Sequence, residues 1–328
     1  MTLLELNDVV VEYRSAANKN VQAVSGVSLS VAAGQIVGLV GESGCGKSSL
    51  ARVASGLIKP ASGSVTLNDE QVLPLGWRRR ATRELGLQMV FQNPYSSLNP
   101  RRRVGEQLMD GVPAGITGKR RRDHALEQLE RVGMPATAAT RFPHQFSGGQ
   151  LQRIAIARAL VTNPSVLIAD EPVTALDASS QVQVVNTLIG LVKELNVGML
   201  FISHDLALVR HIADTTAVMY LGKIVESAPT EQLWTTPAHP YTSALIDAIP
   251  RVEANVGLPK TLAGEVPDPA NAPKGCRFQP RCAQAMDICS TAPTLTPNGE
   301  GKVSCWLTGS ATIPLRPGAA PVGAGSPA

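Results

Sequence analysis

The 328-residue sequence predicts an α/β fold built around a phosphate-binding loop, and three stretches carry that prediction. Residues 41–49 read GESGCGKSS, and from Gly41 to Ser48 they fit the pattern Gly, any four residues, Gly, Lys, Ser. The run before them, residues 35–40 (QIVGLV), is apolar enough for a buried strand, and residues 49–58 after them space apolar residues as a helix does. Two further apolar runs, residues 166–169 and 198–202, end in Asp170-Glu171-Pro172 and Ser203-His204-Asp205. In an open parallel sheet, strand ends of this kind share one crevice.

Taken in order, residues 3–13 and 21–31 are β-like and separated by a polar segment at residues 15–20. Tyr13 ends the first and is either a strand aromatic or a flat face for a nucleotide base. In the loop, Gly41, Ser43, Gly44, Cys45 and Gly46 turn their backbone N–H groups inward, and Lys47, Ser48 and Ser49 open the helix, which makes an anion site suited to a triphosphate. Lys47 supplies a positive charge for the β/γ-phosphates and Ser48 a hydroxyl for Mg²⁺. Cys45 is either a small filler or a thiol with its pKa lowered by the helix N-terminus.

Residues 64–67 and 87–92 are further strands, the second ending at Gln92, and residues 94–141 turn basic and helical, which predicts an inserted subdomain. FSGGQ at residues 146–150 then opens a strongly helical run. Ser147 caps it, and Gly148, Gly149 and Gln150 leave its first turn open to an anion, a second such helix end. Asp170 and Glu171 suit divalent-metal chemistry, one holding Mg²⁺ while the other orients water. Residues 179–195 form a helix with Val182, Val185, Ile189 and Val192 on its packed face. His204 arrives on the edge that carries Gln92 and Asp170, a candidate γ-phosphate contact. A hairpin at residues 216–220 and 223–226 closes the domain near Leu233.

Composition narrows the class. Hydrophobic content of 44% and aromatic content of 4% fit an aliphatic α/β core. No apolar run approaches the ~20 residues of a membrane span. The first ten residues carry Glu5 and Asp8 and lack the basic start of a signal peptide, so a cytoplasmic location is expected. Net charge is +4, with basic runs at residues 78–80, 101–103 and 119–122. Nucleic acid is one reading of these runs; without interleaved aromatics, a solvated face or a surface near anionic lipid is favoured, and no nucleic-acid partner is expected. Residues 308–328, rich in Pro, Gly and Ala, are expected to be a disordered tail.

Taken together, GESGCGKSS, Gln92, FSGGQ, VLIADEP, Leu176-Asp177 and His204, in that order, resemble an ATP-binding-cassette (ABC) ATPase over residues 2–235. The resemblance implies a nucleotide-binding domain at residues 1–235 with a phosphate-loop core sheet, an antiparallel β subdomain and a helical subdomain at about residues 94–160. It implies head-to-tail pairing with a second such subunit, so that Ser147, Gly148, Gly149 and Gln150 face the partner's γ-phosphate and Asp177 lies at the interface. By the same resemblance the backbone of residues 44–49 and Lys47 hold the phosphates, and Ser48, Gln92 and Asp170 reach Mg²⁺. Glu171 polarises the attacking water, His204 contacts the γ-phosphate and Tyr13 stacks on adenine. Phe146, where Leu is commonest, and Thr174, where Ser is usual, are mild departures.

A narrower resemblance rests on FQNPYSSLNPR (residues 91–101), AHPYTSALIDAIP (238–250) and GCRFQPRC (275–282). These look like ATPase subunits of dipeptide and oligopeptide importers, a branch that includes nickel and glutathione importers. It implies two membrane permease subunits, an extracytoplasmic substrate-binding protein, a peripheral place on the cytoplasmic face of the membrane and a heterodimeric ATPase pair. Four of the five cysteines, Cys276, Cys282, Cys289 and Cys305, fall in a small Cys-rich C-terminal extension within residues 236–307, with five, six and fifteen residues between them. In a cytoplasmic chain such a cluster points to metal more than to disulfides. The paired spacing of zinc ribbons is missing, and four thiolates equally suit a 4Fe-4S cluster. The branch is similar in carrying these cysteines, so a structural iron–sulfur cluster is expected, with zinc or free thiols as alternatives, in a segment with few apolar side chains of its own.

Overall fold

The computed structural model describes residues 1–14, 20–76, 85–249, 262 and 264–308. The basic run at residues 78–80, residues 15–19 of the polar segment and residues 309–328 of the expected tail lie outside the described residues.

Two long strands open the chain, β1 (Thr2–Arg14) and β2 (Asn20–Ala32), paired antiparallel. Leu4, Leu6, Val9 and Val11 of β1 are buried, and the alternation slips where the register shifts between Leu6 and Val9. Asp8 there takes a φ of 48°, as a bulge residue does. After β3 (Ile36–Val40) and α1 (Lys47–Ala54), β4 (Ser62–Leu67) and β5 (Glu70–Gln71) complete a four-stranded sheet of order β2-β1-β4-β5.

β6 (Leu87–Val90) forms one edge of the second sheet, to which β3 also belongs. The inserted helices follow: α2 (Pro94–Ser97), α3 (Val104–Gly111), α4 (Lys119–Arg131) and α5 (Gly148–Leu160). Then come β7 (Val166–Asp170), α6 (Ala178–Leu195), β8 (Gly198–Ser203), α7 (Leu206–Ile212), β9 (Thr215–Tyr220) and β10 (Lys223–Pro229). α8 (Thr230–Thr235), α9 (Pro240–Asp247) and the short strands β11 (Thr296–Asn298) and β12 (Gly301–Val303) end the described chain. The sheet has eight strands in the order β11-β12-β10-β9-β3-β8-β7-β6. β6, β7, β8, β3 and β9 run parallel, and β3, β7 and β8 are buried along their whole length, which is why they read as unbroken apolar runs.

One apolar core fills the space between the four-stranded sheet, α1 and one face of the parallel strands; a second joins their other face to the helices. Of the face expected to pack, Val185 and Val192 of α6 are buried and Ile189 lies against the core, while Val182 does not. Val184, Val185, Leu188, Leu191 and Val192 are buried while Val182 is 56% exposed, because two adjacent apolar residues per turn make a broader stripe than the single-residue spacing suggested.

The C-terminal segment joins the sheet. β12 pairs with β10 (Glu226 opposite Val303), and the Ser304 N–H donates to the Val225 carbonyl at 2.8 Å. Buried Glu226 accepts from the N–H groups of Ala238 and His239 at 2.8 and 2.9 Å, which fixes the start of α9 against β10. Among the described residues no helix is long and apolar enough to cross a membrane.

Candidate active site

The loop between β3 and α1 is shaped by what surrounds it. A Cβ on Gly46 (φ 108°) would lie 2.1 Å from the Ala23 carbonyl oxygen, and one on Gly41 2.1 Å from that of Met219, so only glycine fits either position. Lys47 is buried at the first position of α1, and its Nζ donates to the carbonyls of Gly41 (2.8 Å) and Glu42 (2.9 Å). The loop is thereby closed on itself with the ammonium at its centre. The Ser49 hydroxyl accepts from Tyr13 Oη at 3.2 Å, so Tyr13, 41% exposed, stands over the first turn of α1.

Cys45 corrects one expectation. Its thiol is buried, and burial pushes its pKa up despite the neighbouring Lys47, 3.8 Å away. It packs as a small residue, and its carbonyl accepts from the Gly222 N–H at 2.8 Å.

The end of β7 meets the loop from the other side. Ser48 Oγ donates to Asp170 Oδ1 at 3.1 Å. Asp170 is buried, and desolvation raises its pKa, with Glu171 beside it pushing the same way and the Ser48 hydrogen bond opposing. A buried carboxyl next to a second one and to a serine hydroxyl is a donor set that suits a hard divalent cation. Glu171 follows with φ 48°, an uncommon conformation for a residue with a side chain, fixed by its N–H donating to the Ile202 carbonyl of β8 at 2.9 Å.

Three groups from different elements converge on Glu171 Oε2. Gln92, just past β6, lies 3.2 Å away through Nε2, Thr174 lies 3.2 Å away through Oγ1, and His204, just past β8, lies 3.4 Å away through Nδ1. Strand ends β6, β7 and β8 are neighbours in the sheet, so residues 171 and 204, far apart in sequence, meet at its carboxyl edge.

The second helix end is preformed. Ser147 Oγ accepts from the Gln150 N–H at 3.4 Å, while Gln150 Oε1 accepts from the Ser147 N–H at 3.1 Å, a reciprocal cap on α5. Gly148 and Gly149 lie against Leu176 and Ser180. Asp177 caps α6, accepting from the Ser180 N–H and hydroxyl at 2.9 and 2.8 Å, and these bonds hold its carboxyl below the usual range.

The cysteine segment departs from expectation. Cys276, Cys282, Cys289 and Cys305 line one narrow cavity together with His239 and Phe278. Among the described residues no three His, Cys, Asp or Glu side chains are grouped to hold a metal ion. Burial raises the thiols of Cys276 and Cys282 and takes Cys305 up to about 11. Among the described residues this arrangement gives no support to an iron–sulfur or zinc centre. The segment is held instead by packing: Phe278, buried, lies 5.3 Å from the rings of both Tyr220 and Tyr241.

Three residues near the site were not singled out from the sequence. Thr174 appeared there only as a departure from a motif. Tyr241 lies nowhere near the loop in sequence, yet its Oη accepts from the Glu42 N–H at 3.0 Å; Arg281 binds the Glu42 carboxylate. No spacing rule links residues 241 or 281 to residue 42.

The family profile described as ABC transporter matches residues 24–174, and that described as Oligopeptide/dipeptide transporter, C-terminal region, matches residues 225–289. The chain is 44% identical over 296 residues to the Dipeptide transport ATP-binding protein DppF of Haemophilus influenzae, covering 89% of this chain and 90% of that one. It is 41% identical over 313 residues to the Di/tripeptide transport ATP-binding protein DppF of Pseudomonas aeruginosa, covering 93% and 97%. Among solved structures it resembles an ATP-binding cassette in a dimeric post-hydrolysis state bound to ADP and Pi, with a TM-score of 0.60 and 27% identity over 69% of this chain and 98% of that one.

Proposed function

The chain belongs to the ABC transporter family, and from that premise we propose that it is the ATP-hydrolysing subunit of a peptide importer, with the residues around Glu171 as its hydrolytic centre. The observation that carries the reading is the convergence of Gln92, Thr174 and His204 on one oxygen of Glu171, beside the Ser48–Asp170 pair. Lys47 and the N–H groups of the loop bind the ATP phosphates. Ser48, Gln92 and Asp170 would hold Mg²⁺, which neutralises charge on the β- and γ-phosphates. Glu171 accepts a hydrogen bond from a water and aims it at the γ-phosphorus opposite the bridging oxygen. The new P–O bond forms as the bond to that oxygen breaks, leaving ADP and phosphate. His204 contacts the γ-phosphate, and Tyr13 carries the adenine.

The partner reading follows from the spare helix end. Ser147 to Gln150 are offered to the γ-phosphate of a second ATPase subunit, a related but different chain in a heterodimer, and Asp177 lies at that interface. A groove of about 570 Å³ lined by Ser97, Asn99, Arg101, Arg102, Asp110 and Arg158 lies just past Gln92 and receives one of two permease subunits on the cytoplasmic face of the membrane. Arg102 is already paired with Asp110 at 2.5 Å there, and Arg158 bonds the Ser97 carbonyl, so these cations build the groove. An extracytoplasmic binding protein delivers the peptide.

Reconstituting the full chain with its permease, partner ATPase and binding protein in vesicles tests this. Di- or oligopeptides are expected to stimulate ATP hydrolysis. Stimulation by nickel or glutathione in their place would overturn the substrate, and absence of any ATP hydrolysis would overturn the enzyme.

A further inference from the structure

Glu42, the second residue of the phosphate loop, is held through its N–H, its carbonyl and its carboxylate. Its N–H donates to Tyr241 Oη at 3.0 Å, and its carbonyl accepts from Lys47 Nζ at 2.9 Å. Its carboxylate accepts two parallel hydrogen bonds from Arg281, at 2.7 Å from Nη1 and 3.1 Å from Nη2. The Arg281 side chain is only 4% exposed and that of Glu42 25%, so this two-pronged pair is partly shielded from water and salt.

Arg281 is itself fixed. It ends a 3-10 turn, Gln279–Arg281, that follows Phe278 in its aromatic contact with Tyr220 and Tyr241. The turn's base is tied by the Cys276 N–H donating to the Cys289 carbonyl at 2.8 Å. Arg277, one turn earlier, binds the Leu221 carbonyl and Ser25 Oγ (2.9 Å for the latter), next to Gly222, whose N–H holds the carbonyl of Cys45. The short stretch 276–282 therefore bears on the loop at Glu42 directly and at Cys45 through one neighbour.

A purely structural pair would stabilise the fold and leave ATP affinity alone. This one acts on the residue whose carbonyl anchors the Lys47 ammonium. We infer that Arg281, acting with Tyr241 through Glu42, is a positioning residue that holds Lys47 and the phosphate cradle in their ATP-binding shape, so that the C-terminal segment sets nucleotide affinity. The inference rests on the ATPase reading above.

The test uses the full chain, binding of a fluorescent ATP analogue, and steady-state hydrolysis. Arg281→Gln is expected to weaken binding and raise KM by about tenfold, the scale of one lost charge-assisted contact, with kcat changed by less than about twofold. Arg281→Lys, with a point charge and no fork, recovers part of the loss. Glu42→Gln shows a similar loss, and the double variant is no worse than the poorer single one, as expected when two residues act as one unit. Wild-type affinity in Arg281→Gln, strictly additive losses in the double variant, or a fall in kcat at unchanged KM would each overturn the inference. If Arg281→Gln does not fold, Glu42→Gln alone decides: unchanged affinity overturns the inference, and a raised KM supports it. A wild-type chain that binds no nucleotide would overturn the ATPase reading as well.

Discussion

The carboxyl edge of the parallel strands and the cysteine segment both bring together residues distant in sequence, but they do so by different means. At the edge, buried strands β3, β7 and β8 fix where Lys47, Asp170, Glu171 and His204 emerge, and hydrogen bonds then tune the side chains. In the segment from Cys276 to Cys305, two short strands, aromatic contacts with Tyr220 and Tyr241, and the side-chain bonds of Arg277 and Arg281 give the position. Chemistry placed by a sheet survives in the sequence as strand-end motifs. Chemistry placed by side-chain packing leaves no such trace.

That contrast can be broken at Phe278. If packing holds the segment, Phe278→Ala should cost about 3–5 kcal/mol of unfolding free energy, the usual range for a buried aromatic. Cys282→Ser, at a half-buried thiol, should cost under about 1 kcal/mol. Denaturant unfolding of the two variants measures both; a larger loss at Cys282 than at Phe278 would reinstate the cysteines as the segment's scaffold.

His239 sharpens the same point on a smaller scale. It caps α9, its Nδ1 accepting from the Tyr241 N–H at 3.0 Å, and burial pushes its pKa down from 6.5 to about 3. Between those values the unfolded chain binds a proton that the folded chain excludes, so His239 makes stability fall as pH falls from 6.5 toward 3, by about 1.4 kcal/mol per pH unit. Buried Glu226, whose pKa is raised by burial, works in the opposite direction as pH rises, so the comparison must be between variants. His239→Asn keeps a capping oxygen and removes the titration. Wild type should lose about 2 kcal/mol more than His239→Asn between pH 6.5 and 5, and parallel pH profiles would show that the imidazole is not excluded from protonation.

Much of the fold was legible because its strands are buried on both faces and punctuated by glycine, proline or acidic residues. Residues 35–40, 166–169 and 198–202 were readable within a residue or so of β3, β7 and β8. The inward face of α6 was legible at Val185, Ile189 and Val192 but not at Val182, because its apolar residues come in adjacent pairs. β11 and β12 were missed because three-residue strands carry no periodicity; only pairing with β10 makes them strands. The four cysteines were legible as a group, and the fold brings them to one cavity. Their spacing did not fix a ligand geometry, and among the described residues no three His, Cys, Asp or Glu side chains are grouped to hold a metal ion. Thr174, Tyr241 and Arg281 escaped because each reaches the site through a side-chain contact.

The central claim is that Glu171, held by Gln92, Thr174 and His204, orients the water that attacks ATP. Glu171→Gln keeps the shape and the hydrogen bonds of a polar side chain but removes the carboxylate. Hydrolysis by this variant should fall by about 10²-fold or more, as expected for losing a positioned base, while binding of the ATP analogue stays within about twofold of wild type. Wild-type turnover in Glu171→Gln would contradict the account.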